Sequence, residues 1–184
     1  MKKVILFLFV LCGFATMHAQ EVIQLDEARL NFNPDAITIE SDLGIIRCEV
    51  AENYIGEFTE NPIKFMTQNF DFKNFITAII NRDDFDEFLV TFKSAKGYLE
   101  AVYTNEGDLV ETHQRFVDKV LPPAVRNQLY LENKGWTMVS NKYNASGKKD
   151  KIDKEVYKIK LANENKTRRV KIVPSATLVG MVSN

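Results

Sequence analysis

Residues 88–117 read FLVTFKSAKGYLEAVYTNEGDLVETHQRFV. Every second residue is apolar in residues 88–92 and again in residues 99–103, and the residues between them are of mixed character. Successive side chains of a β-strand point to opposite faces of a sheet, so each run predicts a strand with one strongly apolar face. A polar turn follows the second run, and its Gly107 suits the positive φ that closes a hairpin. With Leu109–Val117 as a third strand, the stretch predicts an antiparallel meander.

A helical pattern precedes this meander. Asn61 followed by Pro62 is typical of a helix N-terminus, because asparagine caps the first turn and proline suits the first helical position. Downstream, apolar residues recur at the spacing of a single helix face, which needs a buried partner, and the apolar face of the meander supplies it. The residues of this stripe are Phe72, Phe75, Ile76, Ile79 and Ile80.

The second half of the chain repeats this order of elements. Two prolines after Leu121 break the sheet and begin a shorter helix, whose Val125 and Leu129 share a face. Gly135 is predicted to end that helix at the C′ position. Further strands are predicted at residues 36–40 and Ile45–Val50 before the first helix, and at residues 136–143, 156–161 and 168–173 after the second.

The sequence therefore predicts an α+β fold, in which helices pack on one face of an antiparallel sheet. An offset of 69 residues aligns seven apolar positions without a gap, beginning with Phe88 on Tyr157, although the helices and first strands do not keep it. This favours a tandem repeat of a helix and a three-strand meander, with halves 57–117 and 121–180. Two similar meanders that arose by convergence are the alternative.

The N-terminus has the layout of a secretory signal peptide. Two lysines precede an apolar run from Val4 to Leu11, which is shorter than the ~20 residues of a membrane-spanning helix. We expect cleavage after Ala19, an exported periplasmic or extracellular protein, and one domain at 20–184 without stable membrane insertion. That domain has 22 basic and 25 acidic residues, which does not indicate a nucleic-acid binder. Its single cysteine, Cys48, excludes an intramolecular disulfide.

An ordered set of residues accompanies these elements: Glu57, Phe58, Pro62, Phe65, Asn69, Phe70, Asp71, Tyr103, Gly107, Leu109, Leu121, Pro122, Val125, Gly135, Trp136 and Tyr157. This set resembles a family of exported Bacteroidetes proteins described as PepSY-like or β-lactamase-inhibitor-like domains of unknown function. The resemblance covers most of residues 36–180. It implies a helix packed on an antiparallel sheet, often in tandem, and a periplasmic or surface location. Binding or inhibition is implied by analogy of fold alone.

The residues do not assemble a recognisable catalytic or metal-binding motif. His113 is the only histidine after residue 19 and has no second histidine or cysteine near it in sequence. Cys48 lies on a predicted strand among apolar residues and is interpreted as a small core residue. The acidic run at residues 83–87 lacks the spacing of a calcium loop, and no glycine-rich phosphate loop occurs. We expect a protein that is not an enzyme and uses neither metal nor cofactor.

The candidate binding residues are Lys158, Lys160, Arg169 and Lys171. Alternation sends these side chains to the face of the sheet opposite the helices. Four cations on adjacent strands repel one another, and an acidic protein or peptide would relieve that repulsion. Alternatively, they keep a solvent face soluble and guard it against aggregation.

Two aromatic residues are further candidates for ligand contact. Trp136 and Tyr143 could stack on a ligand, but Trp136 is interpreted as a core plug between helix and sheet. The combined pattern predicts an exported, non-catalytic binding domain that recognises a protein, peptide or polymer through its open sheet face. A structural or chaperone-like accessory protein of the cell envelope is the alternative.

Overall fold

One eight-stranded sheet organises the protein. The computed structural model describes residues 32–42, 44–79 and 85–174, so the predicted signal peptide at 1–19 lies outside the described residues. The strands follow one another across the sheet in chain order, and each predicted strand is present. They are β1 (Ile37–Asp42), β2 (Ile45–Val50), β3 (Glu87–Ser94), β4 (Gly97–Thr104), β5 (Leu109–Val117), β6 (Thr137–Lys148), β7 (Lys151–Asn163) and β8 (Lys166–Ile172).

The sheet is mostly, but not wholly, antiparallel. Six of its seven neighbouring pairs are antiparallel, whereas β2 and β3 run parallel, with Ile46 opposite Val90 and Cys48 opposite Phe92. The expectation of a purely antiparallel sheet is therefore wrong at this pair. The reason is the connection, because parallel neighbours need a long crossover, and the helical segment between β2 and β3 provides one.

In the part of the chain that the structure describes, four α-helices accompany the sheet: α1 (Ile55–Glu60), α2 (Pro62–Asn69), α3 (Phe72–Ile79) and α4 (Pro123–Glu132). The predicted cap of α2 is confirmed, since the side chain of Asn61 accepts a hydrogen bond from the backbone N–H of Lys64 at 3.2 Å. The chain is extended at Phe70, where it forms an isolated bridge with Phe32 and separates α2 from α3. Ile80, the last residue of the predicted stripe, lies outside the described residues.

The helices and one face of the sheet enclose a single aromatic-rich core. Phe72 of α3 stacks on Tyr103 of β4 with ring centroids 4.0 Å apart. Phe58 of α1 contacts the edge of Phe116 of β5 at 5.3 Å. Val125 of α4 is also buried in this cluster. The predicted α+β class, with helical side chains packed against the apolar face of the strands, is confirmed.

The second half of the sheet is longer than its sequence pattern indicates. β6 and β7 contain 12 and 13 residues and are joined by a tight turn at Lys149, whose φ is 55°. Residues 144–155 escape prediction because they are polar and alternate weakly. Gly107 adopts the predicted positive φ of 89°, but α4 ends at Glu132, so Gly135 lies two residues beyond its C-cap.

The predicted 69-residue offset is matched by one hairpin. The β3–β4 hairpin pairs Phe88 with Tyr103, and the β7–β8 hairpin pairs Tyr157 with Ile172, which are the same positions shifted by 69. A repeat of the whole unit is not shown, because most of the residues 69 positions before β6 are helical. The last two aligned positions, Leu178 and Val179, lie outside the described residues.

Candidate functional site

The four predicted binding residues lie together on the exposed side of β7 and β8. Ile159, between Lys158 and Lys160, faces the core and is only 1% exposed, so its neighbours lie on the opposite face. The register places Lys171 directly opposite Lys158 and Arg169 directly opposite Lys160. All four cations are exposed. Their predicted placement is confirmed, while their role in binding stays a prediction.

Three further cations extend this surface across the neighbouring strands. Lys142 of β6 lies directly opposite Lys158, and Arg115 of β5 and Lys154 of β7 point to the same face. Sequence reasoning missed Lys142 and Arg115 because it considered only the last two strands, and it missed Lys154 because the predicted strand began at residue 156. Lys142 could have been found from the sequence, because it precedes the apolar Tyr143 on a predicted strand and alternation places the two side chains on opposite faces. The basic face comprises Arg115, Lys142, Lys154, Lys158, Lys160, Arg169 and Lys171.

The charges of the basic face are not neutralised by neighbouring carboxylates. Among the described residues, ion pairs within 4.0 Å join Lys93 to Glu49 and His113 to Glu111, and neither includes a cation of the basic face. Glu155, which is next to Lys154 in sequence, instead accepts a hydrogen bond from the Tyr143 hydroxyl at 3.1 Å. Like charges directly opposite one another destabilise a sheet, so this arrangement opposes folding unless an anion offsets it.

Two adjoining hollows shape the exposed face of the second half. The first, of about 470 Å³, is lined by four cations of the basic face, which are Lys142, Lys158, Lys160 and Arg169. The second, of about 620 Å³, has a mixed lining that includes Tyr98, Glu100, His113, Ser146, Lys154, Val156 and Val173. Arg115 and Asn144 belong to both hollows, which makes the two one continuous surface. The sheet therefore offers a charged region beside a partly apolar one.

The first half of the same face differs in chemistry. Leu89 of β3 and Ile45 of β2 lie opposite each other and are each 37% exposed. The Lys93–Glu49 ion pair, at 3.3 Å, occupies the same strands. The first half of this face is therefore mixed and partly apolar, whereas the second half is cationic. The positive charge of this face is therefore concentrated on the β5–β8 side.

The candidate nucleophiles and metal ligands show no catalytic arrangement. Cys48 is 1% exposed, and burial, reinforced by nearby Glu49, raises the pKa of its thiol to about 12. His113 is half-exposed and lies 3.4 Å from a carboxylate oxygen of Glu111. The described residues contain no group of three or more His, Cys, Asp or Glu side chains able to hold a metal ion. Asp83 and Asp84 of the acidic run lie outside the described residues.

The two aromatic candidates are engaged within the protein. Tyr143 is buried, its ring centroid lies 4.8 Å from that of Tyr157, and its hydroxyl donates a hydrogen bond to the carboxylate of Glu155. Trp136 is partly buried at the margin of the core, and the guanidinium of Arg168 lies 4.5 Å from its ring centroid. The prediction that Trp136 packs between helix and sheet is confirmed in part. Its ring contacts the core but is not fully buried. Neither ring belongs to the basic face.

Lys119 is a cation on the helix side of the sheet. Its ammonium donates hydrogen bonds to the backbone carbonyls of Thr59 and Glu60 at the end of α1. The same nitrogen lies 5.4 Å from the ring centroid of Phe116 and 5.1 Å from that of Tyr143. Burial lowers the pKa of Lys119 to about 8, against the opposing effect of carboxylates, the larger from Glu60. This residue ties α1 to the sheet.

The lowered pKa of Lys119 predicts a stability that depends on pH. From pH 8 to 10.5 the unfolded chain binds this proton more tightly than the folded protein, so the contribution of Lys119 to the free energy of unfolding rises with pH. We expect the difference between the parent and a Lys119→Met variant to shift in favour of the parent over this range. Urea unfolding at several pH values measures it, and a pH-independent difference would contradict the assignment.

Comparison with known proteins adds no relative. The chain matched no protein-family model, no curated protein and no solved structure. In the described part of the chain, no helix combines the length and the apolar character needed to cross a membrane.

Proposed function

We propose that this protein is an exported, non-catalytic binding domain that takes an acidic protein, peptide or polymer on the basic face. One observation carries this proposal: seven cations share an exposed sheet surface without a carboxylate partner within 4.0 Å among the described residues. A bound anion would convert cross-strand repulsion into attraction.

The position of the cations favours recognition over general solubility. Surface charges that only keep a protein soluble are usually interspersed with charges of the opposite sign. Here Lys142, Lys158 and Lys171 lie in one row across three neighbouring strands. The strands are about 4.8 Å apart, well within the ~8 Å Debye length at physiological ionic strength, so their fields add. Their combined field attracts an anion more strongly than separate lysines would.

Export and family resemblance rest on sequence patterns. The charged start, the apolar run and the cleavage position after Ala19 support delivery to the periplasm or the exterior. The PepSY-like set of residues between 57 and 157 supports an envelope role and a tandem organisation. An extended sheet face is a surface that such proteins could use for binding.

Charge reversal at Lys160 and Lys171 tests the proposal. Each new glutamate lies opposite a remaining cation, Arg169 or Lys158, so the double variant relieves repulsion and should fold at least as stably as the parent. We expect its affinity for a fluorescent peptide of alternating glutamate and serine to fall about tenfold or more. Fluorescence anisotropy at low and high salt measures the affinity, and the parent should lose binding as salt rises.

A matched control carries the same change of charge on the other side of the molecule. Lys64 of α2 and Lys73 of α3 are exposed on the helix layer, and their reversal to glutamate should leave peptide affinity within about twofold of the parent. Equal loss in both variants would mean that net charge alone drives binding. No binding by the parent at low salt would overturn the proposed function.

A chaperone-like accessory is the second candidate, and exposed apolar side chains favour it. Val120 is 86% exposed, and with Tyr130 and Val139 it lines a hollow of about 380 Å³ beside α4. A holdase acting through this region would suppress aggregation of a denatured reporter protein at high salt, and equally well after reversal of Lys160 and Lys171. A protein that acts only by salt-dependent binding of acidic ligands would not suppress aggregation under either condition.

A further inference from the structure

The sheet surface above β7 and β8 has three successive pairs of side chains, called steps here, of which one is apolar and two are cationic. Val156 and Val173 form an apolar step in the larger hollow, where Tyr98 also lies. The next step along the strands is the pair Lys158 and Lys171. The third step is Lys160 paired with Arg169. Apolar, cationic and cationic pairs thus succeed one another along the strand direction.

The spacing of these steps is set by strand geometry. Residues two apart in a strand are separated by about 6.6 to 6.8 Å. An extended peptide has the same period, so its alternate side chains can face successive steps while the residues between them point away. Acidic residues at positions i and i+2 would then meet Lys158 and Lys160 together. Acidic residues next to each other in an extended chain would point to opposite sides.

The apolar step also favours a peptide over a polymer that carries a negative charge on every unit. Val156 is partly buried, but Val173 is 60% exposed, so this step leaves apolar surface in water. A polymer with a charge on every unit has nothing apolar to place there, whereas a peptide can present a valine or leucine. The cations are mostly lysines, which are point charges on flexible stems and accept carboxylates in several geometries.

We propose that the ligand is an extended protein segment with an apolar residue followed at alternate positions by two acidic residues, in either chain direction. This inference rests on the proposed function and names its partner class. The apolar side chain contacts Val156 and Val173. The first acidic side chain lies between Lys158 and Lys171, and the second between Lys160 and Arg169.

Three labelled peptides test the spacing with the full mature protein. The first has the pattern Val-Ser-Glu-Ser-Glu, the second places its two glutamates side by side at unchanged composition, and the third replaces valine with serine. We expect the first to bind about tenfold more tightly than either of the others. Fluorescence anisotropy at low salt provides the dissociation constants.

Two variants test whether Val173 contributes to the apolar step. In Val173→Ser, the advantage of the first peptide over the serine-substituted peptide should shrink to about twofold or less. Val139→Ser is the matched control, because Val139 is similarly exposed but lies outside both hollows of the basic face, and it should keep the full advantage.

The possible failures are distinguishable. Equal, salt-sensitive binding of all three peptides would overturn the spacing inference and leave the proposed function standing. Tighter binding of polygalacturonate than of the first peptide would also overturn it, in favour of an anionic polysaccharide. Binding of none of these probes at low salt would overturn the proposed function as well.

Discussion

Replacing Gly97 with alanine is expected to lower the free energy of unfolding by about 3 kcal/mol or more. Gly97 begins β4 with a φ of 147°, a conformation that residues with a Cβ atom rarely adopt. A Cβ there would collide with the backbone carbonyl oxygen of Arg115 and would lie 2.7 Å from the Cα of Phe116. Because both obstacles are backbone atoms of β5, relief would require β4 and β5 to separate.

Gly56→Ala is the matched control for this substitution. Gly56 lies within α1, and a Cβ there would meet nothing within 4 Å. Alanine should raise the free energy of unfolding by about 0.5 to 1 kcal/mol, because it restricts the unfolded chain and suits a helix. Urea unfolding followed by far-UV circular dichroism measures both variants. A Gly97→Ala protein as stable as the parent would contradict the close approach of β4 and β5.

Strand positions were predictable from alternation because one face of the sheet is buried throughout. Phe88, Val90 and Phe92 are all buried, whereas Leu89 and Thr91 between them are not, so the burial follows a period of two. The same signal gives the orientation of Lys158 and Lys160. It is weak in β6 beyond Tyr143, where small and polar residues form the strand, and the length of the β6–β7 hairpin was therefore missed.

The pairing of strands was less predictable than their positions. Alternation in β2 determines which residues are buried, with Ile46 and Cys48 inside, but it contains no information on the direction of its neighbour. The parallel contact with β3 arises because the helical segment returns the chain to the edge of the meander. Such a contact depends on tertiary packing of the helices and not on local pattern.

The candidate site was predictable in kind but not in extent. Arg169 and Lys171 follow from the pattern of one strand, whereas adding Lys142 and Arg115 requires knowing that β5, β6 and β7 are neighbours. The apolar step beside the cations also needs the register, because Val156 belongs to a part of β7 that the sequence pattern only just reaches. The presence of a cationic strand face was predictable from the sequence, but its extent across four strands depends on which strands are neighbours.

Phe58→Ala is the second substitution with a large expected effect, about 3 to 5 kcal/mol of destabilisation. Phe58 is fully buried, and its ring lies 5.3 Å from both Phe65 of α2 and Phe116 of β5. Truncation leaves a cavity where α1, α2 and the sheet meet, and the surrounding aromatic rings cannot collapse fully into it. Phe58→Leu should lose about 1.5 kcal/mol and remains measurable if the alanine variant does not fold.

Trp136→Ala is the control for Phe58→Ala, because it removes a larger aromatic ring from the margin of the core. The indole is larger than the phenyl ring, but it lies at the margin of the core with Arg168 against it. Its loss should destabilise by only about 1 to 2 kcal/mol, since part of its area already contacts water and a cation–π contact between partly buried groups contributes about 1 kcal/mol. Urea unfolding followed by circular dichroism serves both proteins. If Trp136→Ala were the more damaging change, the enclosed core would lie nearer α4 and β6 than α1 and β5, contrary to the packing described above.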